Sequence, residues 1–219
     1  MSMSVAKSAV ASQYLAAFAA HGDSPAAVLW PKGRQDLRFD ALTRHIPQNG
    51  FSILDYGCGL AHLRAFLDER FERFRYAGAD MVPTFVQAAR AKYPDADFHL
   101  VESPSELTAD YDHIVLSGVY NIVYSKNEEA HLQEVWHSLE MLFARARSSL
   151  AVNFMTDQVD YRQDGAFHLD PRRVLDFVRT RLSRRLILDQ SYMPFEYTVV
   201  IWKDQTIRLP DMVFGAMIP

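Results

Sequence analysis

The sequence has very little cysteine: Cys58 is the only one among 219 residues. A single thiol can form neither an intramolecular disulfide nor, within one chain, a cysteine metal cluster. The eight histidines are scattered and lack the spacing of a metal-binding motif. We therefore expect a cytoplasmic protein, kept in a reducing compartment, that holds no metal.

Long apolar runs and an excess of positive charge are also missing. Lys7 and Gln13 interrupt the apolar stretch from Ser4 to Ala20, so this stretch is predicted to be a surface or lid helix and not a membrane span. A secretory signal is the alternative. The formal net charge of −4 disfavours nucleic acid as a partner, because proteins that bind it usually present a concentrated basic face.

From Phe51 onward the sequence contains a regular alternation of short apolar runs and helical patterns. This alternation predicts βαβ units in a doubly wound α/β domain with a mostly parallel, seven-stranded sheet. The predicted strands span residues 51–56, 76–80, 97–101, 111–116, 148–155, 185–192 and 197–203. The residues between the last two strands are too few for a parallel crossover, so the last strand is predicted to be antiparallel.

The chain is long enough for one domain with additions at its ends. Residues 1–50 precede the first strand and are predicted to form a helical cap, with a helix from about Gln35 to Ile46. Residues 51–204 are predicted to form the main domain, and residues 205–219 a C-terminal tail.

A glycine-rich turn follows the first predicted strand and includes Gly57 and Gly59. Glycine lets the backbone turn sharply and approach a ligand, while the start of the next helix offers free N–H groups. A nicotinamide or flavin fingerprint, G-x-G-x-x-G, needs a third glycine where this chain has His62. A nicotinamide-dependent oxidoreductase is therefore the weaker alternative.

Two acidic residues flank this turn along the chain. Asp55 lies two places before the first glycine, and Asp80 ends the second predicted strand. At a strand end, a carboxylate can accept two hydrogen bonds from a ribose diol. The alternative for Asp80 is capping of the following helix, which is predicted to begin at Pro83.

The pattern D-x-G-x-G at residues 55–59 resembles the first motif of the class I S-adenosylmethionine-dependent methyltransferases. The resemblance covers most of the chain and implies S-adenosyl-L-methionine as the cofactor. It implies that Asp55 helps to hold the methionine ammonium and that Asp80 binds the ribose. Gly57, Cys58 and Gly59 would make room for the cofactor, with Cys58 as a small packing residue and not a nucleophile.

The same resemblance extends the predicted cofactor site along the sheet edge. Met81 would pack on adenine, Glu102 and Ser103 would contact the adenine edge, and Ser117 and Gly118 would face cofactor and substrate. The alternatives are core packing for Met81 and a solvated loop for residues 102–103.

Arg38 precedes the first strand, near Trp30. It resembles an arginine that pairs with the cofactor carboxylate in some small-molecule and sugar-directed members, a task that suits a guanidinium fork. The alternative is a solvated arginine on a helix.

Methyl transfer needs mainly the alignment of the acceptor atom with the methyl group and the sulfur. The predicted catalytic residues are Tyr120 and Asn121, after the fourth strand, and His168, after the fifth, whose alternative is a surface position. Four further residues after these strands are candidates for orienting the acceptor: Tyr124, Asn153, Asp157 and Tyr161. We expect a small-molecule or glycan acceptor, methylated on oxygen or nitrogen; a binding or scaffold protein without activity is the alternative from another class.

Overall fold

The computed structural model describes residues 3–29, 34–47, 50–123 and 127–206, with side chains from Val10 onward. Trp30, Tyr124 and most of the predicted tail lie outside the described residues. In the described part the strands are β1 Phe51–Tyr56, β2 Phe74–Asp80, β3 Asp97–Leu100, β4 Tyr111–Leu116, β5 Ala146–Thr156, β6 His168–Leu169, β7 Leu186–Asp189 and β8 Glu196–Trp202.

The α-helices of the described residues are α1 Met3–His21, α2 Gln35–Thr43, α3 His62–Arg70, α4 Pro83–Lys92, α5 Glu128–Arg145 and α6 Pro171–Phe177. A 3₁₀ turn covers Pro104–Glu106, and a π-helical turn over Val178–Leu182 extends α6. Within the described ranges, no helix has the length and apolar character that crossing a membrane requires.

All the strands belong to one sheet with the order β3-β2-β1-β4-β5-β8-β7. β1 to β5 pair in parallel, and β8 lies antiparallel between β5 and β7. The predicted mostly parallel sheet with an antiparallel last strand is therefore confirmed. β6, which pairs with the end of β5, was not predicted because two residues are too few to carry an alternating pattern.

Helices cover both faces of the sheet, as a doubly wound fold requires. On one face, Ile53 and Val115 pack with α2, α3 and α4, and Leu42 of α2 is fully buried there. On the other face, Ile114 and Leu116 pack with the apolar side of α5 and with α6. Burial of apolar side chains on both faces stabilises the parallel strands and fixes their order.

The N-terminal helix α1 packs on α4. Tyr14 and Phe18 contact the ring of Phe85 edge-on, with ring centroids 5.8 and 5.7 Å apart. The helix predicted in this segment is thus present, and it packs on the outside of the helical layer. Between α1 and α2, Ala27 and Val28 pack near the glycine turn that follows β1.

Candidate functional site

A cavity of about 280 Å³ lies where β1, β2, β3 and β4 end. Parallel strands bring their carboxyl ends to the same edge of a sheet, which is where such folds bind ligands. The predicted cofactor residues that line this cavity are Asp55, Gly57, Cys58, Gly59, Asp80, Met81, Glu102, Ser103, Ser117 and Gly118. Of the predicted cofactor residues, only Arg38 does not line it.

The glycine turn is shaped by backbone angles and close contacts. Gly57 has φ +80° and Gly59 has φ +53°, in the left-handed region that favours glycine. A Cβ atom at Gly57 would lie 2.5 Å from Cγ2 of Val119, and one at Gly59 would lie 2.9 Å from Cγ1 of Val28. The turn therefore has room for hydrogen atoms only, with one valine packed against each glycine.

Ala61, two places after the second glycine, also has a left-handed backbone, with φ +56°. An L-residue with a Cβ pays roughly 1–2 kcal/mol for this conformation. Glycine would adopt this conformation without strain, whereas alanine accepts the strain at the residue that precedes α3.

Asp80 connects the glycine turn to α4. One carboxylate oxygen accepts a hydrogen bond from the N–H of Gly59 at 2.8 Å, and the other accepts from the N–H of Val82 at 2.8 Å. This second bond closes a turn just before α4, and no side chain caps the helix at Val82, so the capping alternative for Asp80 is not observed. A carboxylate offers about four acceptor positions, which leaves two for a ribose diol.

Asp55 is buried, and its Oδ2 accepts a hydrogen bond from the hydroxyl of Tyr76 at 2.8 Å. Burial raises the pKa of Asp55 to about 7, and the nearby charge of Asp80 adds to this rise, while the Tyr76 hydrogen bond opposes it. A cation placed beside Asp55 would favour its ionised form. The cavity thus presents a carboxyl group that a positively charged ligand would stabilise.

Cys58 lies between the two glycines, and its side chain is buried. Burial raises the pKa of the thiol well above its usual range, with the charges of Asp80 and Asp55 adding to the effect. A Cβ atom at Gly78 would lie only 2.8 Å from Sγ. Cys58 therefore fits the predicted role of packing residue, since a protonated, buried thiol is a poor nucleophile.

The residues predicted at the adenine edge belong to a capped turn. The N–H groups of Glu102 and Ser103 both donate to Oε1 of Glu106 at 2.9 Å, and the Ser103 hydroxyl accepts from the N–H of Ser105. Glu102 is exposed. Any contact of these two N–H groups with a ligand would have to displace Glu106.

Arg38 was predicted to pair with the cofactor carboxylate, and its position in the structure differs from that prediction. Its side chain is buried, and Nε lies 2.7 and 2.8 Å from the two carboxylate oxygens of Glu196, at the start of β8. It neither lines the cavity nor faces solvent, so the structure shows neither the cofactor-facing position nor the solvated one. A buried arginine needs such a partner, because an unpaired charge in the interior is strongly unfavourable.

The position of His168 differs from its predicted role as a catalytic base. The side chain is buried away from the cavity, with Nδ1 2.8 Å from the carbonyl oxygen of Thr156 and Nε2 accepting from the N–H of Gln163 at 3.2 Å. In the neutral tautomer that donates from Nδ1, both ring nitrogens are satisfied. His168 therefore holds the segment after β5 together and is neither a surface residue nor placed to act as a base in the cavity.

The structure places the two catalytic candidates after β4 in different surroundings. Tyr120 lines the cavity, and its hydroxyl lies 2.6 Å from the Ser138 hydroxyl of α5. Asn121 is buried and does not line the cavity, which corrects that prediction; within the described residues its side-chain amide has no hydrogen-bond partner. The chain turns between them, and the carbonyl of Asn121 accepts from the N–H of Phe167 at 2.8 Å.

Two walls of the cavity were missed by the sequence analysis. The N-terminal wall consists of Tyr14, Val28, Gln35 and Phe39, and the α5 wall includes His131, Glu134, His137 and Met141. These residues come from distant segments and share no local motif. The contact of Tyr76 could have been predicted from the sequence, because a buried tyrosine in a strand of small residues needs a partner for its hydroxyl.

Comparison with known proteins places this geometry in context. No family model matches the chain. A protein of Mycobacterium tuberculosis (strain ATCC 25618 / H37Rv), with the provisional name methyltransferase Rv1506c, is 30% identical over 158 residues, which cover 70% of this chain and 93% of that protein.

Solved structures share the fold at low sequence identity. One is 1,6-didemethyltoxoflavin-N1-methyltransferase from Burkholderia thailandensis, solved with 1,6-didemethyltoxoflavin and S-adenosylhomocysteine; the TM-score is 0.65 at 14% identity, over 92% of this chain and 90% of that one. Another is magnesium protoporphyrin IX methyltransferase from Synechocystis PCC 6803 with S-adenosylhomocysteine; the TM-score is 0.59 at 14% identity, over 78% of this chain and 83% of that one.

Proposed function

The chain belongs to the class I S-adenosylmethionine-dependent methyltransferases, and we propose that it methylates an oxygen or nitrogen of a small-molecule acceptor. One observation carries the proposal: Asp55 and Asp80 line the same cavity, with the glycine turn between them. Two carboxyl groups fit the ammonium at one end of the cofactor and the ribose hydroxyls nearer its middle.

The residues of this cavity fit the cofactor chemically. Asp55 is a buried carboxyl group that a cation would stabilise, and Asp80 keeps acceptor capacity beside the glycine turn. When bound, the cofactor supplies a methyl group activated by a positively charged sulfur. The protein then has to hold the acceptor in line and exclude water, which is the main contribution that positioning makes to such a reaction.

The N-terminal wall supports a small, weakly polar acceptor. Its four side chains, Tyr14, Val28, Gln35 and Phe39, carry no charge, and two of them are aromatic. Planar apolar groups pack well on aromatic side chains, whereas a glycan needs many polar partners. The Burkholderia thailandensis relative in fold, solved with the heteroaromatic compound 1,6-didemethyltoxoflavin, is consistent with such an acceptor.

Tyr120 is the predicted catalytic residue that reaches the cavity. We propose that it helps to orient the acceptor, with its hydroxyl fixed by Ser138 of α5.

The division into a cap (1–50), a main domain (51–204) and a tail (205–219) stays a prediction, as does a cytoplasmic location without nucleic acid or membrane partners.

Two measurements test the proposal. Calorimetry should detect binding of S-adenosylhomocysteine and no binding of NAD; absence of S-adenosylhomocysteine binding would overturn the assignment of the cavity. Transfer of a radiolabelled methyl group should then occur to members of a panel of hydroxylated or aminated aromatic compounds. Label transferred only to glycans would contradict the acceptor class, and binding without any transfer would favour the scaffold alternative.

A further inference from the structure

A chain of buried polar groups runs from α2 through the sheet to the cavity. Arg38 of α2 pairs with Glu196 of β8, and both side chains are almost fully buried. Oε1 of Glu196 also accepts a hydrogen bond from Nδ2 of Asn153, on β5, at 2.5 Å. The other end of the Asn153 amide, Oδ1, accepts from the backbone N–H of Gly118 at 2.7 Å.

These contacts fix the orientation of the Asn153 amide. If the amide flipped, its NH₂ group would face the N–H of Gly118, and its oxygen would face the Glu196 carboxylate. Both contacts would be repulsive in an interior where Asn153 is fully buried. The Arg38–Glu196 ion pair thus determines which atom of Asn153 points toward Gly118.

Gly118 is the point at which this chain reaches the cavity. It has φ +74° and lies between Ser117 and Val119, which both line the cavity. Val119 is also the residue whose Cγ2 packs against Gly57 in the glycine turn. A shift of the Gly118 N–H would therefore move both the end of β4 and the side chain that covers the first motif glycine.

We propose that Asn153 is a positioning residue, held by Glu196 and Arg38, that sets the turn at Gly118 and thereby the affinity of the cavity for its cofactor. The inference rests on the proposed function, since it takes this cavity as the cofactor site. On this proposal, Arg38 influences cofactor binding without contacting the cofactor, because it acts through the side chains of Glu196 and Asn153.

An exchange of charge between two residues tests this proposal. In Asn153→Asp, the introduced carboxyl group faces the Glu196 carboxylate; at a pH high enough to ionise both groups the turn should be displaced, and the dissociation constant for S-adenosylhomocysteine should rise about fivefold or more. In the double variant Asn153→Asp/Glu196→Gln, the carboxylate and the amide trade places. The net charge is then conserved and the Gly118 N–H keeps a carboxylate acceptor, so the affinity should return to within about twofold of the original. The melting temperature should stay lower, because at position 196 Arg38 keeps only the oxygen of the new amide as its acceptor.

The matched control is Tyr197→Phe. Tyr197 neighbours Glu196 and is fully buried, and its hydroxyl donates to the carbonyl of Leu169 at 3.1 Å, away from the cavity. This variant should lower the melting temperature and leave the dissociation constant unchanged. The control separates an effect on the turn from a general loss of stability.

Amide hydrogen exchange at Gly118 gives a reading that does not depend on the cofactor. The Gly118 N–H should exchange slowly in the unaltered chain, faster in Asn153→Asp and slowly again in the double variant. A fast Gly118 N–H in the unaltered chain would overturn the proposal, whether or not the variants fold, as would unchanged affinity in folded Asn153→Asp. Slow exchange at Gly118 in a protein that binds no S-adenosylhomocysteine would instead contradict the assignment of the cavity.

Discussion

The carboxyl edge of the sheet carries two groups of polar side chains that differ in what they face. Beside the glycine turn, Asp55 and Asp80 point into a shared cavity and keep capacity for a ligand. After β5, His168 bonds two backbone groups with its ring nitrogens, the carbonyl of Thr156 at the end of β5 and the N–H of Gln163. At the same edge of one sheet, Asp80 thus bonds the backbone and keeps capacity for a ligand, whereas His168 bonds the backbone alone.

The difference follows from what holds each segment in place. In the glycine turn, the N–H groups of Gly57 and Cys58 donate to the Ala79 carbonyl of β2, so Asp80 has to supply a partner only to the Gly59 N–H. The segment between β5 and α6 pairs with the sheet through the two residues of β6, and its backbone also bonds the turn after β4 through the Phe167 N–H and the Gly165 carbonyl. His168 adds two further partners for backbone groups of this region, one on each ring nitrogen.

The largest expected effect is at Gly57, with Gly165 as a matched control. Both have a left-handed backbone, φ +80° and +77°, but only a Cβ at Gly57 would meet a neighbour, Cγ2 of Val119 at 2.5 Å. Gly57→Ala and Gly165→Ala should each lose roughly 1–2 kcal/mol of stability from the backbone. Only Gly57→Ala should also weaken S-adenosylhomocysteine binding, about a hundredfold or more, because the stiff Val119 side chain must move.

Calorimetry and thermal melting on both variants check this prediction. Equal affinities in the two variants would show that the glycine turn does not shape the ligand site. A loss of affinity in Gly165→Ala alone would place the site after β5 and reverse the comparison between the two regions.

Asp80→Ala should have the next largest effect. The variant leaves ribose hydroxyls and the N–H groups of Gly59 and Val82 without their acceptor, so binding of S-adenosylhomocysteine should weaken by about 1–3 kcal/mol. The control is Asp112→Ala. Asp112 also accepts a backbone N–H bond, from Ser52 at 2.8 Å, but it lies near the start of β4, whereas the cavity lies where this strand ends. The control should lose stability and retain affinity; similar losses of affinity in both would contradict a specific role for Asp80.

The pH dependence of binding should report on Asp55. Since its pKa is raised to about 7, the carboxyl is mostly protonated below that pH and ionised above it. Only the ionised form attracts the ammonium group, so affinity for S-adenosylhomocysteine should rise as pH increases through 7, by up to about tenfold per unit below it. Calorimetric titrations between about pH 5.5 and about pH 8.5 measure the curve.

Tyr76→Phe sharpens this test. The Tyr76 hydroxyl lowers the pKa of Asp55, so its removal should move the binding curve to higher pH. Asp55→Asn should bind weakly with no rise near pH 7. A curve that is flat for the unaltered chain, or unmoved by Tyr76→Phe, would show that Asp55 does not contact the ligand's ammonium group.

The smallest expected effect on binding is at His168. His168→Ala removes the partners of the Thr156 carbonyl and the Gln163 N–H, so the free energy of unfolding should fall by about 1–3 kcal/mol. The affinity for S-adenosylhomocysteine should stay the same. A large loss of affinity with an unchanged melting temperature would restore His168 to the functional site.

The fold, and the gathering of the residues at the strand ends around one cavity, were predictable because their signals are local. The bounds of β1 and β4 agree with the predicted residues 51–56 and 111–116, since each is an apolar run bounded by turn residues. The spacing of Asp55, the glycines and Asp80 likewise depends only on short stretches at strand ends. A strand of two residues such as β6 carries no such pattern.

The rest of the site depends on contacts between distant segments. Arg38 and Glu196 are 158 positions apart, and nothing near either residue signals their ion pair. His168 could not be assigned from its type, because a histidine at a strand end serves equally as a base or as a hydrogen-bond partner. The N-terminal wall was hidden for the same reason, since four residues from α1, α2 and the segment between them form one surface only in the folded chain.

A crystal structure of the chain with S-adenosylhomocysteine tests the central claim most directly. The ribose hydroxyls should lie within hydrogen-bond distance of the Asp80 carboxylate, and the amino group should lie beside Asp55, directly or through one water. The thioether sulfur should then face the N-terminal wall. A nucleoside bound in another cleft, or bound here with its ribose away from Asp80, would contradict the account.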